Sequence, residues 1–128
     1  MEKIEKILVL LANRTRSQEL RERMKRWGVD VVDTLAHGDI VPLGELEVRY
    51  NIIVVDKRFQ GNSQDTAKLV RRMRREFLDP IIGIDEGCAG DGELFDLQLA
   101  GCNFMVYPNT WEKTWGGILD TIQEIHSK

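Results

Sequence analysis

Cysteine and histidine are scarce in this chain of 128 residues, with two of each. Cys88 and Cys102 match no metal-ligand spacing, and His37 and His126 are the only imidazoles, so a zinc site is not expected. An isolated cysteine pair outside a disulfide-dense scaffold is expected to stay reduced. Long apolar runs are missing as well. The run within MEKIEKILVLLANR covers about six residues between charges, too short for a secretory segment or a membrane span. A cytoplasmic setting without membrane attachment is therefore expected. Nor is there an excess of positive charge. Eighteen Lys and Arg stand against 21 Asp and Glu, a net charge of −3, whereas a general nucleic-acid binder carries a broadly basic footprint. Linkers, internal repeats and low-complexity segments are also absent. What remains is an ordinary globular composition, 42% hydrophobic and 30% charged. Residues 1–128 are read as one domain, long enough to bury a core without staples.

Hydrophobic periodicity divides the chain into alternating elements. Lys6 to Ala12 (KILVLLA) is a short apolar run between polar residues, the pattern of a buried parallel strand. Ser17 to Trp27 places Leu20, Met24 and Trp27 at helical spacing, with Gly28 as C-cap. Val29 to Leu35 is a second strand whose partial alternation predicts a position nearer an edge. Asp39 to Val48 reads as a weak helix interrupted by Pro42 and Gly44, and Ile52 to Asp56 as the third strand. Asp65 to Phe77 is a helix with Leu69, Val70, Met73 and Phe77 inward. A fourth strand (Pro80 to Ile84), a short helix (Glu93 to Ala100) and a fifth strand (Asn103 to Tyr107) follow. The last helix begins near Asn109, with Glu112 completing a capping pair, and runs through Ile118, Ile122 and Ile125. Strict β–α alternation predicts an α/β fold, a three-layer sandwich around a parallel sheet.

The third strand, within YNIIVVDKRF, poses a specific question. Four β-branched residues suited to burial on both faces run directly into Asp56, then Lys57 and Arg58. Aspartate at a strand end serves as a turn cap. It also serves at a site, because open α/β sheets bind their ligands beyond the carboxyl ends of the strands. Those ends are Leu11-Ala12-Asn13, Asp56-Lys57, Asp85-Glu86 and Tyr107-Pro108. Asp56 and Asp85 end neighbouring strands, so two carboxylates facing one crevice are weak candidates for a divalent cation. The alternative is that Asp85 pairs with Lys57 or Arg58, or caps a turn.

At this point the chain resembles the receiver domains of two-component response regulators (CheY-like) over nearly its whole length. KILVLLANR, Gly28 closing the first helix, AHGD (Ala36 to Asp39) and NIIVVD follow a receiver's intervals without gaps. PIIGIDE from Pro80 is similar to the family's fourth strand. AGCNFMVYP (Ala100 to Pro108) is similar to its small-Gly, strand, Lys-Pro signature, with Tyr107 in place of the lysine. The resemblance implies a flavodoxin-like strand order 2-1-3-4-5 and Asp56 as the phospho-acceptor candidate, lined by Ala12, Asn13, Lys57, Asp85, Glu86 and Tyr107. It also implies a signalling partner, a histidine kinase or an output protein. The family's acidic pair, which binds Mg²⁺ with the acceptor, corresponds to Leu11 and Ala12, which offer no oxygen ligand. Its phosphoryl-binding Ser/Thr corresponds to Asp85. Phosphoryl transfer needs charge neutralisation by metal and cations. The expectation is a pseudo-receiver with impaired or absent Mg²⁺-dependent phosphorylation and no bound cofactor. It would be no enzyme beyond self-phosphorylation and dephosphorylation at Asp56.

Three further features carry alternatives. Asn13 to Ser17, between first strand and first helix, is either an anion site of flavodoxin type, taking FMN or a nucleotide, or simply the helix cap. Lys68, Arg71, Arg72, Arg74 and Arg75 concentrate five cations on one helix, either a contact face for an acidic partner or a nucleic-acid phosphate backbone, or a solvated face. Tyr107, Trp111 and Trp115 mark the expected partner surface, which resembles the one receivers use for partners or for homodimers, aromatic residues being enriched at interfaces. Cys88, in a Gly-rich loop, is read as incidental.

Overall fold

A computed structural model describes residues 6–14, 17–26, 28–85, 92–107 and 114–127, apart from the side chains at 32, 92, 93, 114, 115 and 126. Ten elements alternate: β1 (Lys6–Leu11), α1 (Ser17–Arg26), β2 (Asp30–Ala36), α2 (Leu46–Arg49), β3 (Ile52–Asp56), α3 (Ser63–Arg74), β4 (Ile81–Ile84), α4 (Gly92–Ala100), β5 (Phe104–Val106) and α5 (Thr114–His126). The five strands form one parallel sheet in the order β2-β1-β3-β4-β5. As the sequence predicts, β2 lies at an edge. A register shift between Ile7 and Leu8 marks its pairing with β1.

Alternate residues of the central strands point to opposite faces, and both faces are covered. On one, Leu8, Leu10, Ile53, Val55 and Ile81 pack against Leu46, Leu69, Val70, Met73, Phe77, Leu94 and Leu97, from α2, α3, the turn after α3, and α4. On the other, Ile7, Val9, Ile52, Val54, Ile82 and Ile84 meet Leu20 and Met24 of α1 and Ile118, Leu119 and Ile122 of α5. β1, β3 and β4 are thus apolar on both sides, which is why their sequences do not alternate. Gly83 in β4 lets α4 approach closely: a Cβ there would lie 3.3 Å from Leu97 Cδ1. Among the described residues no helix is long and apolar enough to cross a membrane.

Two elements differ from the sequence reading. The weak helix expected over Asp39 to Val48 shrinks to Leu46–Arg49. The chain before it turns repeatedly, with Leu43 N–H bonded to Val41 O at 2.8 Å and Glu45 N–H to Pro42 O at 3.2 Å. Pro42 lacks an N–H and Gly44 takes φ +96°, so a continuous helix cannot pass. Helix α3 starts at Ser63 rather than Asp65 because Asn62 caps it, its side chain accepting from Asp65 N at 2.8 Å.

A third difference concerns Arg74, expected on the outward face of its helix. Its guanidinium is half-buried and turned inward. Nε donates to Gly101 O at 2.8 Å, and Nη1 to Phe77 O at 2.8 Å and Asp79 O at 2.7 Å. Nη2 donates to Asn103 Oδ1, which also accepts from Ile81 N at 3.0 Å. One planar fork therefore satisfies the carbonyls left open at the ends of α3 and α4 and ties them to the start of β4 and β5. Burial holds its pKa below the usual arginine value, an effect consistent with the cost of desolvating the cation. Arg74→Ala is expected to lower stability by about 2–4 kcal/mol, since several carbonyls lose a charged donor at once. Arg74→Lys should recover only part of that loss in denaturant unfolding.

Edge strand β2 is held to α2 by a polar cluster. Tyr50, almost fully buried, donates its hydroxyl to Asp33 Oδ2. Arg49 lies 3.7 Å from the same carboxylate and over the Tyr50 ring, 5.7 Å from its centroid. Burial, then the Asp33 bond and charge, push the Tyr50 phenol up to about 12 from 10.0. The unfolded chain therefore gives up this proton first. The stabilisation is complete below about pH 10 and is lost as pH rises towards 12. Tyr50→Phe should cost about 1–2 kcal/mol at neutral pH, and the gap to the parent protein should close across that window.

Candidate functional site at the carboxyl ends of the strands

β3 pairs with β4 so that Asp56 lies opposite Ile84, which sets Lys57 beside Asp85. Lys57 N–H continues the ladder to Ile84 O at 2.9 Å. Beyond that point the chain turns: Phe59 N–H bonds Asp56 O at 3.0 Å, and Gly61 N–H bonds Arg58 O at 2.8 Å. Asp56 Oδ1 accepts from Arg58 N at 2.8 Å, so this carboxylate is a turn cap as well as a strand end. The turn is anchored on both sides. Thr66 Oγ1 accepts from Gln60 N at 3.0 Å, and His37 Nδ1 donates to Phe59 O at 2.8 Å. The Phe59 ring sits in the core shared by α2, α3 and α4.

Within this frame lies a buried ion pair. Lys57 Nζ stands 2.9 Å from Asp85 Oδ2, with side-chain exposures of 0% and 2%. Asp56 is 2% exposed beside it. The sequence left Asp85 open between a metal ligand, a turn cap and a partner of Lys57 or Arg58. The pairing with Lys57 is what forms, and it forms in the interior rather than at the surface where such pairs are common. The reason is local: Lys57 directly follows a strand buried on both faces, so its stem remains within the core. Two charges removed from water are tolerated only as a close, hydrogen-bonded pair.

The other candidates are dispersed. Leu11 is 2% exposed and belongs to the core against α1 and α5, and Ala12 beside it is partly buried. Asn13 lines a separate cleft of about 170 Å³ with Arg14, Ser17, Thr34, Leu35 and Ala36. That volume is below the range for cofactor pockets, roughly 300–1,000 Å³. The polar groups of the cleft are also engaged: Ser17 Oγ donates to Arg14 O at 2.7 Å, and Arg14 pairs with Asp39 at 2.7 Å. Bonds from Ala36 N–H and Arg14 hold the Asp39 carboxyl below its ordinary value. Tyr107 is half-buried and packs against the α2–α4 side of the core. Glu86, Cys88, Trp27 and Trp111 lie outside the described residues, as does the Trp115 side chain on α5. Cys102 is a buried free thiol whose pKa burial pushes up to about 12, so it stays protonated and unreactive.

Mg²⁺, the cation implied by the receiver resemblance, finds a poor set of ligands among the described residues. It demands near-octahedral oxygen coordination. At the end of β1 Leu11 and Ala12 offer no side-chain oxygen and Asn13 lines the separate cleft, one Asp56 oxygen caps a turn, and Asp85 holds an internal ammonium. Among the described residues no three histidine, cysteine, aspartate or glutamate side chains converge to hold a metal.

No protein-family model matches the chain, and no curated protein matches it. Solved structures do. A CheY-like response regulator receiver domain protein of Methanospirillum hungatei is 14% identical, with 95% of this chain and 93% of that one covered at a TM-score of 0.72. A LuxR-family two-component response regulator of Aurantimonas is 17% identical, with 96% and 85% covered at 0.75. The signal receiver domain of a modulated diguanylate cyclase from Desulfovibrio desulfuricans is 17% identical, with 98% and 96% covered at 0.74. The chain has the fold of CheY-like receiver domains.

A double-mutant cycle tests the ion pair. Lys57→Met or Asp85→Leu alone, by stranding a buried charge, should cost about 3–5 kcal/mol in denaturant unfolding, whereas the double variant should unfold within about 1 kcal/mol of the parent or above it.

Proposed function

We propose that this chain is a receiver-type signalling domain that works by binding another protein, and that its acceptor position is not switched by Mg²⁺-dependent phosphorylation. The observation that carries the reading is the Lys57–Asp85 pair, fully buried at the strand ends where the fold puts its chemistry. A receiver switch relies on metal and cationic groups to neutralise the incoming phosphoryl group. Here the nearby cation is already neutralised by Asp85, and Asp56 is turned into a buried turn cap. An incoming phosphoryl group would have to displace an interior ion pair and enter beside a carboxylate. Histidine kinases or output proteins are the partner class the likeness suggests. The contact region in this reading is β5 and α5, about Tyr107, Trp111 and Trp115.

The alternative of an FMN or nucleotide binder finds no support in the small, internally bonded cleft at Asn13. The deciding experiment is an amide NMR titration with Mg²⁺ followed by beryllofluoride, a mimic of an aspartyl phosphate. The expected result is a flat response at Asp56 and along α5. Shifts centred on Asp56, or a mass gain from acetyl phosphate abolished by Asp56→Asn, would overturn the reading.

A further inference from the structure

The outward face of α3 carries Lys68, Arg71, Arg72 and Arg75, all exposed. Among the described residues Arg71, Arg72 and Arg75 make no ion pair, and Lys68 has only a loose contact to Asp65 at 3.9 Å. Some other arginines are matched, Arg14 to Asp39 at 2.7 Å and, more loosely, Arg23 to Glu19 and Arg49 to Asp33, both at 3.7 Å. The spacing is also unfavourable within the helix. Lys68 and Arg72, and Arg71 and Arg75, stand four residues apart, where like charges repel. Glu76 lies four residues after Arg72 and has the position to relieve it. Its carboxylate is turned away to accept from Gly44 N–H and Leu46 N–H. The helix dipole favours cations in the last turn only, and Lys68 lies outside it. Arg71 and Arg72 do lie within that turn, so the unfavourable element of the stripe is its like-charge spacing, on a molecule whose net charge is −3.

At the foot of the stripe is an apolar spot. Leu78, three residues after Arg75, and Val48 of α2 are each 84% exposed. The Leu78 N–H donates to Glu47 Oε1, which holds the turn through Leu78 beside α2, the helix that carries Val48. Cations in a row that ends on exposed aliphatic side chains complement carboxylates in a row that ends on an apolar anchor.

We propose that this face of α3 and α2 docks an acidic segment of a partner protein, its carboxylates on Lys68, Arg71, Arg72 and Arg75 and an apolar side chain on Val48 and Leu78. The site is separate from the strand ends and from the aromatic region around α5, and does not depend on the state of Asp56. Charge complementarity selects the partner, and the aliphatic pair sets where it stops.

The probe is a short fluorescein-labelled peptide of glutamates with spaced leucines, titrated into the full chain and followed by anisotropy. Binding that weakens steeply with salt is expected, with amide shifts confined to α3, α2 and the turn through Leu78. Arg71→Glu should weaken binding about tenfold or more. The same change creates a favourable Glu–Arg pair with Arg75 but puts an anion in the last turn of the helix, opposing effects of similar size, so the melting temperature should change little. Leu78→Ser should weaken binding several-fold at every salt concentration. Absence of binding at low salt, or affinity indifferent to Arg71→Glu, would overturn the proposal. So would tighter binding to an oligonucleotide or to anionic phospholipid vesicles than to the peptide.

Discussion

The constraint on which the structure depends is the burial of β1, β3 and β4 on both faces. A strand covered on both sides can satisfy its peptide groups only through the ladder and can carry polar side chains only at its ends. This forces the helices onto two sides, fixes the parallel register, and drives polar chemistry to the carboxyl ends. It also explains why Lys57, the first residue past β3, is enclosed rather than solvated. Its ammonium needs a partner within the protein, and the neighbouring strand end provides one in Asp85.

That pairing changes the character of the strand ends. An open crevice between two carboxylates invites a cation from solution. Here a lysine from the adjoining position occupies the crevice, and one of the two carboxylates, Asp85, is matched from within the chain. The same turn is held by the cap on Asp56, by Thr66 and by His37. Those contacts tie the loop after β2, the loop after β3 and the start of α3 together.

Much of the fold was legible in the sequence because its signals were local: continuous apolar runs for the buried strands, partial alternation for the edge strand, helical spacing for α1, α3 and α5. The helix expected from Asp39 failed because Pro42 and Gly44 outweigh the weak periodicity around them. The carboxyl-end residues could be named, since Asp56 and Asp85 end neighbouring strands in the expected topology. Which of Lys57 and Arg58 would meet Asp85 was not legible, because it depends on how far each side chain remains inside the core. The roles of Arg74, Glu76 and Tyr50 were hidden for a related reason. Each bonds groups far away in sequence, and no periodicity marks such a contact.

The fork of Arg74 has a consequence for how this sequence can drift. Gly101, whose carbonyl it binds, adopts φ +133°, and a Cβ there would lie 2.6 Å from Arg74 Cγ. Any side chain at position 101 would collide with the arginine, while loss of the arginine would strand the carbonyls it serves. Neither position can be exchanged first without passing through a damaged intermediate. The two residues, 27 apart in the chain, therefore constrain one another, and the backbone at position 101 favours glycine whatever stands at 74.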